Sequence, residues 1–135
     1  MRELLSSKQL IEEYGEYLTR FRWKWFGTLS FRCGDLPLWR ADRAFSAWIS
    51  EIQEMDGNED LWWFRVAERG PSNDKLRFHV LMSNFRFTSK YCWMHRWNEM
   101  AGEADLFYFF PLGDARQFIL ETSRLSSVFD IAHDM

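Results

Sequence analysis

Residues 62–84 read WWFRVAERGPSNDKLRFHVLMSN, and this stretch decides the fold. Leu61 to Glu68 and Lys75 to Met82 are rich in β-branched and aromatic residues, and the Arg69-Gly70-Pro71-Ser72-Asn73-Asp74 cluster between them is turn-forming. The pattern predicts an antiparallel hairpin. Residues two apart in a strand share a face, so Arg77 and His79 are expected to point the same way. If Pro71 to Asp74 form the turn, Glu68 sits across from Arg77 on that face, together with Trp62, Phe64 and Val66.

Working towards the N-terminus, the apolar residues Ala41, Ala44, Phe45, Trp48, Ile49 and Ile52 recur at helical spacing. They predict a helix from Trp39 to Glu54, which Met55 to Asp60 breaks. Trp23 to Arg32 predicts a strand running into the turn at Cys33 to Pro37. The stripe Leu10, Ile11, Tyr14, Tyr17, Leu18 and Phe21 predicts an N-terminal helix over about residues 7–20, within a helical segment 1–22. Towards the C-terminus, Thr88 or Ser89 caps a helix that buries Trp93, Met94, Trp97 and Met100 or Ala101 and ends near Gly102. Leu106 to Phe110 is expected to be a short strand, and a final helix to start near Ala115 with Phe118 and Ile119 inward. Residues 123–135 carry few apolar residues and are expected to be a loosely docked tail. Stripes of this kind need a sheet to cover. The expected fold is α+β in one domain, residues 1–135: a ferredoxin-like split βαβ arrangement with a mostly antiparallel sheet of about four or five strands and helices mainly on one face.

Composition bounds the function. The 135 residues are 47% hydrophobic and 19% aromatic, enough to fold as one globular domain. There is no signal-like N-terminus and no run of about 18 apolar residues, so a soluble, cytoplasmic protein is expected. Cys33 and Cys92 have no metal-ligand spacing. Seventeen Lys and Arg against 20 Asp and Glu give a formal charge of −3, which disfavours general affinity for phosphate backbones. Arg20, Arg22, Lys24, Arg32, Arg40 and Arg43 nevertheless crowd one third of the chain, so a local basic patch is compatible with the acidic total. There is no glycine-rich phosphate loop and no Ser/His/Asp or Cys/His pattern.

Glu68-Arg69-Gly70 followed by Arg77-Phe78-His79-Val80-Leu81 resembles the metal motif of the rolling-circle replication initiators (Rep proteins) of the HUH endonuclease class. In that family an aromatic strand ends in Glu-x-Gly and the next carries His-hydrophobic-His. Trp25 to Phe31 is similar to the family's first conserved strand, Ala41 to Glu54 to its Trp-containing helix, and Trp93 to Gly102 to its Trp-x-x-x-Trp segment. Ala115 to Glu121 resembles the nucleophile helix, so the resemblance spans roughly residues 10–122. It implies two imidazoles and a carboxylate holding a divalent cation while a tyrosine attacks the scissile phosphate. This sequence departs from the pattern where the chemistry needs it. Arg77 stands for the first metal histidine and cannot ligate, Phe118 stands for the nucleophile, and Glu121 stands for the lysine that steadies the phosphate. Glu68 and His79 remain as weak metal candidates, and Arg77 is expected to pair with Glu68.

The expectation is a catalytically degenerate Rep-like domain from a phage or mobile element, acting by binding and with no cofactor. Its expected partner is a protein complex that handles nucleic acid, as for a host-defence inhibitor of the anti-CRISPR kind, or nucleic acid itself. Candidate contact residues are Arg22, Lys24, Arg32, Trp62, Phe64 and Arg77. An active nickase using Mg or Mn, with Tyr91 or Tyr108 as displaced nucleophile, is one alternative. A plain single-stranded nucleic-acid binder is the other. No membrane and no small-molecule substrate are expected.

Overall fold

The computed structural model describes residues 2–14, 18, 23–34, 36–55, 58–69, 75–83, 90–108 and 128–134. In chain order the elements are β1 (Arg2–Ser6), α1 (Ser7–Tyr14), β2 (Trp25–Ser30), α2 (Leu38–Gln53), β3 (Trp63–Arg69), β4 (Leu76–Met82), α3 (Lys90–Met100), β5 (Ala104–Tyr108) and β6 (Val128–Asp134). The fold is α+β. The strands form one six-stranded sheet in the order β1-β6-β3-β4-β2-β5, and every neighbouring pair is antiparallel. Among the described strands only β3 and β4 are neighbours in both sequence and sheet, and the other connections cross over: β2-α2-β3 joins two like-directed strands with β4 between them, and β4-α3-β5 does the same around β2.

Alternation along the strands gives the sheet two unlike faces. On one face, Leu29, Ala67, Leu76, Phe78, Val80, Met82, Ala104 and Leu106 pack with Ala41, Phe45, Trp48, Ile49 and Ile52 of α2 and Trp97 of α3. Edge-to-face contacts knit this layer, with ring centres 5.2 Å apart for Phe31 and Phe78, 5.7 Å for Phe45 and Phe78 and 5.6 Å for Trp48 and Trp97. The buried indoles also find acceptors, Trp48 Nε1 donating to the Trp93 carbonyl and Trp97 Nε1 to the Ser30 carbonyl, each at 3.0 Å. Arg65 breaks the apolar pattern on this face. It is buried, its Nη2 lies 2.6 Å from Asp42 Oδ1 on α2, and its guanidinium stacks 4.1 Å from the Phe78 ring centre.

The opposite face is also covered near β3 and β6. Phe64, Val66 and Leu81 are fully buried there. Tyr14 of α1 packs 5.0 Å from Phe64, and the His133 ring of β6 stacks on Phe64 at 6.1 Å. Among the described residues, α1 serves this side while α2 and α3 serve the other.

The chain ends differ from expectation. Residues 2–6 form an edge strand rather than the start of a helix, and α1 begins at a reciprocal cap: the Gln9 amide donates to Ser6 Oγ while the Ser6 amide donates to Gln9 Oε1. Residues 128–134 are no loose tail. They form β6, inserted between β1 and β3, because β3 lies inside the sheet and its outer hydrogen-bonding edge needs a partner. The expected final helix from Ala115, including Phe118 and Glu121, lies outside the described residues. So do the expected turn over residues 70–74 and the remainder of the N-terminal stripe apart from Leu18, which is buried.

Candidate functional site

The hairpin β3–β4 has the register the sequence predicts: Glu68 faces Arg77, and Val66 faces His79. Thr28 and Ser30 of β2 extend the row on the other side of β4, opposite His79 and Arg77. The side chains do not pair as expected. His79 Nε2 lies 2.9 Å from Glu68 Oε1, and both residues are buried, so the diagonal partner takes the carboxylate. Arg77 is exposed and makes no ion pair with Glu68. The reason is desolvation. A guanidinium drawn beside Glu68 would leave water, whereas the flat imidazole already lies within the sheet and loses little by bonding there. No protein hydrogen bond reaches Glu68 Oε2 among the described residues.

As arranged, Glu68 Oε1 and His79 Nε2 are bonded to each other and Glu68 Oε2 is left without a protein hydrogen bond among the described residues, fewer donors than the roughly four to six that a divalent cation takes. Among the described residues no group of three or more His, Cys, Asp or Glu side chains is assembled for a metal.

Of the two expected aromatic contacts, Phe64 is corrected. Phe64 is fully buried beneath Tyr14 and beside His133, and no base can stack on it. Trp62 precedes β3 and is half-buried, its amide bonded to Ser83 Oγ. Exposed aromatics lie instead at the other edge of the sheet. Phe107 of β5 is 51% exposed and Tyr91 of α3 is 65% exposed; Phe26 stacks on Phe107 at 6.3 Å, and the Lys90 ammonium lies 5.3 Å from the Tyr91 ring centre and 5.8 Å from that of Phe107. Alternation in a five-residue strand cannot say which face stays open, so nothing local distinguishes Phe107 from Phe64.

Of the expected cations, Arg22 lies outside the described residues, and Lys24 is half-buried with its amide bonded to the Met82 carbonyl. Arg32 and Arg77 come together. They line one cleft of about 320 Å³ with Lys75, Ser30, Phe31, Leu76, Gly102 and Glu103. The cleft is built where the turn after α3 presses on the end of β2. The Ser30 amide donates to the Glu103 carbonyl at 2.8 Å and the Arg32 amide to the Ala101 carbonyl at 2.9 Å. A Cβ on Gly102 would stand 2.1 Å from the Ser30 carbonyl oxygen, so only glycine permits this approach. Arg32 Nη1 also donates to the Asn98 carbonyl in the last turn of α3. Lys75 and Glu103 had no role in the sequence reading, although Lys75 and Arg77, two apart at the start of a strand, carried the signal.

Tyr91 lies in the first turn of α3 and Tyr108 ends β5. His95 is exposed, 3.7 Å from Glu99 one turn on. No helix among the described residues is long and apolar enough to cross a membrane. No family model, curated protein or solved structure matches this chain.

Proposed function

We propose that this chain is a Rep-like HUH domain that no longer nicks DNA and acts by binding. The interleaved crossovers and the strand order β3-β4-β2-β5 support a ferredoxin-like split βαβ reading of the core. The observation that carries the functional reading is the buried Glu68–His79 hydrogen bond beside an exposed Arg77. Where the resemblance calls for a carboxylate and two imidazoles turned on a cation, the carboxylate here is occupied by the one imidazole present, and the other position holds a group that cannot ligate. The partner we favour is a protein that handles nucleic acid in the cytoplasm of a bacterial or archaeal host, because the chain's net charge of −3 opposes phosphate and suits a basic groove. A host-defence inhibitor of the anti-CRISPR kind is the concrete form of this reading.

A second reading, a single-stranded nucleic-acid binder, is favoured by the cationic cleft and by the exposed Phe107 and Tyr91 with Lys90 between them. One experiment separates these readings. The purified chain is incubated with labelled single-stranded DNA and Mn²⁺, and cleavage, covalent adduct and retained DNA are read together. The proposal expects neither cleavage nor adduct. Retained DNA then selects the second reading, its absence selects a protein partner, and a covalent adduct overturns both.

A further inference from the structure

We propose that the cleft at the end of β2 and the start of β4 is a binding site for a phosphate group, with Arg32, Lys75 and Arg77 as its cations. The inference rests on the cleft alone and holds whether or not the domain is Rep-like. Three cationic side chains and one carboxylate, Glu103, line the cleft, a local positive excess in a chain whose total is −3. Charges gathered in a concave wall focus their field and hold an anion better than the same charges spread over a surface.

The cations sit on a rigid frame. Arg32 is held at its amide by the Ala101 carbonyl and at its guanidinium by the Asn98 carbonyl, so little side-chain freedom is lost when an anion arrives. Ser30 and Phe31, between Arg32 and the rest of β2, are clamped by the Trp97 indole and by the close approach of Gly102. Arg77 reaches the cleft from β4 directly opposite Ser30, exposed and with no ion pair among the described residues. Guanidinium forks on β4 and just beyond the end of its neighbour β2, with an ammonium next to one of them, suit the several oxygens of a phosphate better than a single carboxylate. Glu103 opposes the anion and sets its affinity below what the cations alone would give.

The phosphate can belong to a free phosphate or nucleotide, or to the backbone of a nucleic-acid strand. The test uses the full chain labelled with ¹⁵N, titrated with sodium phosphate at constant low ionic strength, with a labelled oligothymidylate followed by anisotropy in parallel. Saturable shifts are expected at the amides of Arg32, Arg77, Gly102 and Glu103 and at the arginine Nε–H signals. Arg77→Gln, which removes an exposed side chain and leaves folding intact, should weaken phosphate binding roughly tenfold, and Glu103→Gln should tighten it several-fold. Oligonucleotide binding that phosphate displaces assigns the site to a strand backbone; phosphate binding without oligonucleotide binding assigns it to a free phosphate or nucleotide. Shifts that do not saturate, or titrations that Arg77→Gln and Glu103→Gln leave unchanged, overturn the site.

Discussion

Glu68 shows how a single buried group constrains its neighbours. With His79 bonded at 2.9 Å, the carboxylate has one partner among the described residues. Removing the imidazole leaves a buried carboxylate without compensation, and His79→Ala is expected to cost about 3 kcal/mol in urea unfolding. The double replacement Glu68→Met with His79→Leu removes both polar groups together, and it should cost less than the single His79→Ala change, since an apolar pair of similar volume has nothing to desolvate. Gly102 is constrained by shape instead. A Cβ would stand 2.1 Å from the Ser30 carbonyl oxygen and 2.7 Å from Phe31 Cα, both backbone atoms that cannot swing away. Gly102→Ala should therefore destabilise by about 2 kcal/mol or more, and in the phosphate titration it should disturb the Arg32 signals even though no charge has changed.

Between elements, charged pairs fasten the helices, and here the sequence was only partly legible. The apolar stripe of α2 was readable because helical spacing is a local property, and its buried residues Ala41, Phe45, Trp48, Ile49 and Ile52 are those the spacing picks out. Arg65 and Asp42 were not readable as partners. They are 23 positions apart in the sequence, and nothing local marks Arg65 as buried beneath α2. Asp42→Ala removes the carboxylate 2.6 Å from that buried guanidinium and should lower stability by about 3 kcal/mol, measured by thermal unfolding, whereas Arg43→Ala on the exposed face of the same helix should be nearly silent. Glu51 and Arg96 join α2 to α3 by two hydrogen bonds of 2.7 Å, and that hydrogen bonding holds the Glu51 carboxyl below its ordinary value of 4.5. A carboxyl lowered by folding contributes stability above its unfolded pKa, and the contribution disappears as pH falls through the folded value. Stability curves of the wild type and Glu51→Gln should thus differ near neutrality and converge in acid; a constant gap across that range would show that Arg96 does not act through the charge of Glu51.

For the molecule as a whole, the hardest part to read was how the two chain ends complete the sheet. Arg2–Ser6 and Val128–Asp134 carry charged residues among their apolar ones, so neither has the apolar run that marks a central strand, and strand pairing across more than one hundred positions leaves no local trace. Yet β6 bonds to β3 along one edge and β1 along the other, which makes the last strand in sequence an interior strand of the sheet. The two ends then differ in what their loss would do. Removing β1 turns β6 into the edge and breaks one ladder. Removing β6 breaks two ladders, leaves β1 with no strand to pair with, strips the His133 ring from Phe64, and exposes the outer edge of β3 beside the buried Glu68–His79 pair. Deletion of residues 128–135 is accordingly expected to abolish soluble folded protein or to lower the urea midpoint far more than deletion of residues 1–6. Native-state hydrogen exchange gives the same comparison without deletion: β6 amides bonded to β3 should be protected nearly as well as those of β4, and β1 amides much less. Fast exchange along Arg65–Ala67 and Asp130–Ala132 would mean that β6 docks only transiently, and the carboxylate of Glu68 would then have to be held by the β3–β4 hairpin alone.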